Sequence, residues 1–169
     1  MERGKPGTDF AIANTDNPAV NHTLRYEYGI NGEGDIFSEF QFPANQYLIK
    51  SITDPNGVKT YTLKDQAGQI IAKKTLIEPE TNEYITLAYE YDATGRLVTT
   101  KPPNYYQPPD GSQPEQWLST NEYDFLGRLT QSHNPDNKFS RYIYDQAGKP
   151  RFMQDANGAA AQSPYILYT

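Results

Sequence analysis

A short acidic turn returns along this chain, and it constrains the fold more than any other feature. An aromatic or apolar residue is followed by Asp, two further residues, Gly, a basic or polar residue and an apolar one. The string occurs as Leu63-Lys-Asp-Gln-Ala-Gly-Gln-Ile70, as Tyr89-Glu-Tyr-Asp-Ala-Thr-Gly-Arg-Leu97, as Glu122-Tyr-Asp-Phe-Leu-Gly-Arg-Leu129 and as Tyr142-Ile-Tyr-Asp-Gln-Ala-Gly-Lys-Pro150. Successive Asp residues, at 65, 92, 124 and 145, lie 27, 32 and 21 positions apart. The longest interval holds a Pro-rich excursion from 102 to 116, so 21 reads as the undecorated period. Self-similarity on this scale belongs to repeat architectures, in which each unit is one supersecondary element stacked on the next.

Asp-x-x-Gly has the chemistry of a turn. The carboxylate accepts backbone N–H groups within the turn, and Gly takes up the positive φ that closes a tight hairpin loop with a bulge. Asp65, Gly68, Asp92, Gly95, Asp124, Gly127, Asp145 and Gly148 are therefore expected to be structural turn residues. A second turn type, Asp54-Pro-Asn-Gly57, Asn134-Pro-Asp-Asn137 and Asp155-Ala-Asn-Gly158, falls about halfway between. A turn every ten or so residues is the spacing of consecutive hairpins.

The segments between turns alternate as half-buried strands do. Leu24, Tyr26, Tyr28 and Ile30 share one face, as do Ile85, Leu87, Tyr89 and Tyr91. Trp117, Ser119, Asn121 and Tyr123 make a weaker row, and Tyr142 and Tyr144 a short one. Tyr precedes the turn Asp in three of the four copies, which suggests a ladder of cross-strand aromatic contacts. Before residue 50 the pattern is less regular. Met1–Asn21 reads as an irregular arm with a short strand near Phe10-Ala-Ile12. Asn31-Gly-Glu-Gly-Asp35 reads as a hairpin turn, Asp35–Phe42 and Gln46–Thr53 as strands, and Leu76–Asn82 as a loop. No segment holds helical periodicity for three turns.

Composition agrees. Hydrophobic residues make up 36%, too few for layers packed on both faces of a sheet, and 14 Tyr suit strands with one wet face. The 13 Pro and 12 Gly leave little room for long helices. A net charge of -6 with a pI of about 4.9 argues against nucleic-acid or anionic-membrane partners. With 0 Cys, disulfides and thiolate metal sites are excluded. No apolar run suits a membrane helix, and the start has no apolar core of a signal peptide.

Residues 89–97, 122–129 and 142–148 resemble the YD repeat of the RHS family. Upstream, Pro6-Gly7, His22-Thr23, Tyr26-Glu-Tyr-Gly29, Thr53-Asp-Pro-Asn-Gly57 and Lys64-Asp-Gln-Ala-Gly68 are similar to the region preceding the repeats in some large bacterial RHS proteins. The resemblance extends to insecticidal toxin-complex shells, bacterial polymorphic toxins and animal teneurins. It implies hairpins running on into one long sheet that spirals into a hollow shell, often around a C-terminal toxic domain. The Asp-containing autoproteolytic core of some members has no counterpart here, nor does an effector domain. Tyr165-Ile-Leu-Tyr-Thr169 reads as a strand heading into a further repeat. The chain is thus expected to be a piece of a longer, secreted or cell-surface polypeptide.

Candidate sites weigh less. His22 and His133 are the only histidines and are far apart in sequence, so neither a metal site nor a Ser-His-Asp arrangement is indicated. The turn Asp residues recur one per hairpin, which suits a turn role better than a paired acid and base. Asn31–Asp35 offers oxygen ligands without the spacing of a calcium loop. Tyr105, Tyr106 and Trp117 are the candidate glycan contacts, with the 102–116 excursion the best exposed aromatic element. Asn21-His-Thr23 matches a glycosylation sequon. Arg96, Arg128 and Lys149 are expected to pair with acidic groups across strands.

These readings give an all-β fold of consecutive antiparallel hairpins in a curved, open repeat sheet. Residues 1–50 form an arm and strands ahead of the repeats, and 51–169 the hairpins. The expected function is structural and non-catalytic, without cofactor or metal. Its partners would be the remaining repeats and an enclosed effector, with no nucleic acid and no membrane insertion. A carbohydrate-binding or adhesive cell-surface module is the alternative.

Overall fold

The structure, a computed structural model, describes residues 3–4, 23–78, 80–136, 138–155 and 166–167. The fold is all-β. Its strands are β1 (Arg3–Gly4), β2 (Thr23–Ile30), β3 (Leu48–Thr53), β4 (Lys59–Lys64), β5 (Ile70–Glu78), β6 (Glu83–Tyr91), β7 (Leu97–Lys101), β8 (Ser119–Tyr123), β9 (Leu129–Asn134), β10 (Lys138–Tyr144), β11 (Pro150–Asp155) and β12 (Ile166–Leu167). The chain divides into two compact units, Met1–Leu87 and Ala88–Thr169, and β6 runs from one into the other. The expected strand near Phe10–Ile12, His22 and the Gly of Asp155–Gly158 lie outside the described residues.

In the first unit β1 pairs with β2, and β2 to β5 form an antiparallel meander in chain order. Directly opposed residues share a face. Gly29, Ile49, Leu63 and Ala72 form one cross-strand row, with Glu27, Ser51, Tyr61 and Lys74 beside it. Leu63, Ala72, Ser51 and Lys74 on this face are buried. Their cover is the loop between β2 and β3, whose Phe37 is 2% exposed. Lys74 Nζ sits 5.9 Å from the Phe37 ring and pairs with the Glu39 carboxylate of the same loop.

That loop corrects the expected strand at Asp35–Phe42. Asp35 accepts the Gly32 N–H at 2.8 Å and the Phe37 N–H at 2.7 Å, which bends the chain into a 3₁₀ turn at Ser38–Phe40. Phe37, Phe40 and Phe42 do not alternate with period two. They cluster instead, Phe40 stacked on Phe42 at 5.5 Å and Phe42 tilted against Tyr47 at 5.0 Å. Buried Asn31 ties the loop shut, its Oδ1 accepting the N–H groups of Gln46 and Tyr47 and its Nδ2 donating to Pro43 O. The following strand starts at Leu48 rather than Gln46. The expected loop at Leu76–Asn82 is also shorter, because β5 continues its alternation to Glu78 and Asn82 turns at φ 54°.

In the second unit the Ala88–Tyr91 end of β6 pairs with β7, and each strand from β7 to β12 pairs antiparallel with the next. The 102–116 excursion holds a helical turn at Pro103–Tyr106 and a 3₁₀ turn at Pro114–Trp117, each with Pro in its first positions, where the missing N–H costs nothing. Trp117 therefore does not share a strand face with Ser119, Asn121 and Tyr123; β8 begins two residues later.

Candidate functional site

The recurring turns have one backbone geometry. The Asp N–H donates to the carbonyl four residues on, from Asp65 to Gln69, Asp92 to Arg96, Asp124 to Arg128 and Asp145 to Lys149, at 2.9–3.0 Å. The Gly N–H returns to the Asp carbonyl in all four. Gly68, Gly95, Gly127 and Gly148 have φ of 83°, 83°, 82° and 79°, where an L side chain is strained. After each turn the outgoing strand carries one extra residue, a bulge that shifts register at Leu63/Lys64, Glu90/Tyr91, Glu122/Tyr123 and Ile143/Tyr144. Asp54–Val58 repeats these backbone hydrogen bonds, with Gly57 at φ 84°, but its strands stay in register at Ile52↔Thr60 and Thr53↔Lys59, without the bulge.

Each carboxylate works inside its own turn. Asp92 Oδ1 accepts the N–H groups of Thr94 at 2.8 Å and Arg96 at 3.0 Å; Asp124 Oδ1 accepts those of Leu126 and Arg128, both at 2.9 Å. The other oxygen takes the Arg side chain, Arg96 Nε on Asp92 at 2.7 Å and Arg128 Nε on Asp124 at 2.6 Å. This corrects the expectation that these arginines reach acidic groups across strands. Four residues separate donor and acceptor, and the turn folds the shorter path back on itself.

Held this way, each guanidinium points at the next hairpin of the motif. Arg96 lies 4.9 Å over the Tyr123 ring, and its Nη1 donates to Asp124 O at 3.1 Å. Arg128 lies 4.9 Å over Tyr144, and its Nη1 donates to Asp145 O at 3.3 Å. The contact is returned: Tyr123 OH donates to Leu97 O at 2.9 Å and Tyr144 OH to Leu129 O at 2.7 Å. Tyr123 and Tyr144 thus meet a guanidinium face rather than the ring of a Tyr ladder. Two successive hairpin junctions carry the same latch of Asp, Arg, Tyr and two carbonyls. At the next position Lys149 stands where Arg would, and Asp145 pairs with Arg151 Nε at 3.4 Å.

Titration follows from these bonds. Asp92 is held far below the usual carboxylate range, first by the Thr94 hydroxyl and then by the Arg96 N–H. At Asp124 partial desolvation pushes upward and is outweighed by the Arg128 N–H and guanidinium, so its carboxyl is also lowered. Asp145 is lowered chiefly by the Lys149 N–H. Burial raises the Tyr144 phenol. These carboxylates are ionised acceptors, those of Asp92 and Asp124 committed to their own loops and that of Asp145 also paired with Arg151 of β11.

The other candidates are placed apart from the latches. Tyr105 and Tyr106 meet edge to face at 5.2 Å, and Lys101 Nζ lies 5.5 Å over Tyr105. Trp117 Nε1 donates to Ser112 Oγ at 3.1 Å. All three aromatic residues are half-buried, so the excursion does not present the exposed aromatic element the sequence suggested. At Asn31–Asp35 both Asp35 oxygens are engaged by backbone N–H groups. A cleft of about 360 Å³ lies there between Gly32–Asp35, Phe37, Gln41 and Leu63. Among the described residues no three His, Asp or Glu side chains gather where they would hold a metal ion. His133 sits near the end of β9, opposite Thr120 and Phe139. Also among the described residues, no helix is long and apolar enough to cross a membrane.

No family model matches the chain, and no curated protein matches it. Among solved structures it is similar to a chain of the Photorhabdus luminescens Tc holotoxin pore, with a TM-score of 0.51 at 18% identity. The likeness covers 68% of this chain and 6% of that one, and at this identity it speaks to the fold.

Proposed function

We propose that this chain is a wall segment of an RHS/YD-repeat β-shell. It is a non-catalytic run of hairpins within a longer polypeptide, secreted or at a cell surface. Its sheet separates an enclosed C-terminal effector from solvent and proteases or serves as a surface scaffold. The observation that carries this reading is the latch built twice, with the same atoms, between successive motif hairpins. A residue set that recurs per hairpin and spends its hydrogen bonds on the neighbouring hairpin does the work of joining repeats, whose stability comes from their interfaces. The fold likeness to a chain of the Tc holotoxin pore and the YD-like strings support the same reading. The immediate partners are then the flanking repeats of the parent polypeptide.

The test is to express the polypeptide encoded by the complete parent reading frame and image it by electron cryomicroscopy. A hollow particle with these hairpins in its wall and a protease-protected C-terminal domain is expected. A solid domain in which these hairpins pack around a substrate cleft overturns the reading. On a glycan array, specific binding abolished by Trp117→Ala would move the assignment to an adhesive module.

A further inference from the structure

The two faces of the β2–β5 meander are not alike. One lies beneath the 31–47 loop. The other carries Tyr26, Tyr28 and Ile30 of β2, Leu48, Lys50 and Ile52 of β3, Thr60, Thr62 and Lys64 of β4, and Ile70, Lys73, Thr75 and Ile77 of β5, by the pairings Ile30↔Leu48↔Lys64↔Ile70 and Tyr28↔Lys50↔Thr62↔Lys73. Tyr28 and Ile30 are each 63% exposed, Leu48 is 44% exposed, and Ile70 and Ile77 are exposed as well. Tyr28, Ile30 and Leu48 adjoin one another, and Ile70 closes the same row beyond Lys64, an exposed apolar cluster of the kind that marks an interaction surface.

Its charge is one-sided. Lys50, Lys64 and Lys73 stand among these side chains, and no Asp or Glu of β2–β5 shares the face, although the whole chain carries a net charge of -6. The strand carboxylates Glu27 and Glu78 alternate to the covered side, where Glu27 pairs with Lys59 at 3.0 Å. Lys50 Nζ lies 4.9 Å over the Tyr26 ring, and among the described residues none of the three lysines is in an ion pair. Across β2–β5, no acid on this face balances them.

We infer that this face docks an acidic, amphipathic polypeptide segment, with carboxylates interleaved among aliphatic side chains that cover Tyr28, Ile30, Leu48 and Ile70. The charge pattern selects the partner. A second copy of this chain would bring lysines against lysines on an isologous contact, and a polyphosphate would leave the apolar row uncovered. The inference does not depend on a shell, because it uses only the first unit.

The probe is a fluorescein-labelled 16-residue peptide alternating Glu with Leu, Val and Thr, titrated with the full chain and read by anisotropy at 50 and 500 mM NaCl. Binding that weakens at least tenfold in Lys50→Glu/Lys64→Glu/Lys73→Glu, and at least fivefold in Ile30→Ser/Leu48→Ser, is expected. Arg141→Glu, in the other unit, should stay within twofold. If the triple reversal does not fold by circular dichroism, the Lys→Gln triple replaces it and should still weaken binding severalfold. Indifference to both sets of substitutions overturns the proposal. So does equal affinity for the Lys-for-Glu peptide or for an oligothymidylate of matched charge. Sedimentation showing a dimer that Ile30→Ser/Leu48→Ser dissolves overturns it in favour of self-association.

Discussion

Breaking one latch tests whether the arginine acts on its neighbour or only on its own turn. The perturbation is a double-mutant cycle, Arg128→Met with Tyr144→Leu. The guanidinium carbon lies 4.9 Å over the ring, and the Arg128 side chain is 27% exposed. A half-screened cation over an aromatic face contributes about 0.5–1 kcal/mol. The Nη1 bond to Asp145 O, at 3.3 Å, is long and adds little to the pair. The coupling energy should therefore be about 0.5–1 kcal/mol, read from urea unfolding followed by Trp117 fluorescence. Tyr144→Phe keeps the ring and loses only the 2.7 Å bond to Leu129 O, so it should cost about 1 kcal/mol and leave the coupling intact. Arg96→Met with Tyr123→Leu has the same geometry and should return the same value. Arg141→Met with Tyr144→Leu is the control, since Arg141 bonds Gln131 and lies over Phe139 instead. A coupling within about 0.3 kcal/mol of zero for Arg128 and Tyr144 refutes the latch, because that is the scatter of independent sites.

Further outcomes follow from the turns and the loop. Gly148→Ala should destabilise by about 1–2 kcal/mol because φ is 79°, although nothing lies within 4 Å of the new Cβ; Gly29→Ala, with equal space and no positive φ, should be neutral or stabilising in the same thermal melts. Lowered carboxylate values at Asp92, Asp124 and Asp145 mean that the folded state favours their ionised forms. Their contribution is complete above the ordinary Asp value and is lost as pH falls toward the folded values. The urea midpoint should thus hold from pH 7 to about 5 and fall below about 4, and the triple Asp→Asn variant should flatten that fall. Phe37→Ala removes the plug over Leu63 and Ala72 and should cost about 3–5 kcal/mol in urea unfolding; a loss under 1 kcal/mol would mean the 31–47 loop does not cap the sheet.

The hairpins could be read from the sequence because Asp-x-x-Gly is a local signal: acceptor and φ > 0 residue lie within four positions of each other. The loop over β3–β5 could not, since its shape depends on Asn31 reaching Gln46 and Tyr47 across 15 and 16 positions and on Asp35 turning inward. Arg96 and Arg128 were conspicuous as residues after the turn Gly. Their targets, a carbonyl 28 and 17 positions on and the Tyr just before it, sit at intervals set by whatever is inserted between hairpins. Alternation likewise grouped Tyr26, Tyr28 and Ile30 on one face, but period two does not say which face a distant loop will cover. The fall of Phe37, Phe40 and Phe42 out of register was the available warning against a strand there.

The latch also gives the array a grain. At both latches arginine reaches forward to the hairpin that follows and tyrosine answers backward, so the hairpin carrying Tyr123 and Arg128 has a socket on one side and a plug on the other. Such units join in one order only, and a repeat moved, deleted or duplicated would still mate with its new neighbours as long as both halves travel with it. Lys149 lacks the flat fork of a guanidinium, and there Asp145 pairs with Arg151 instead.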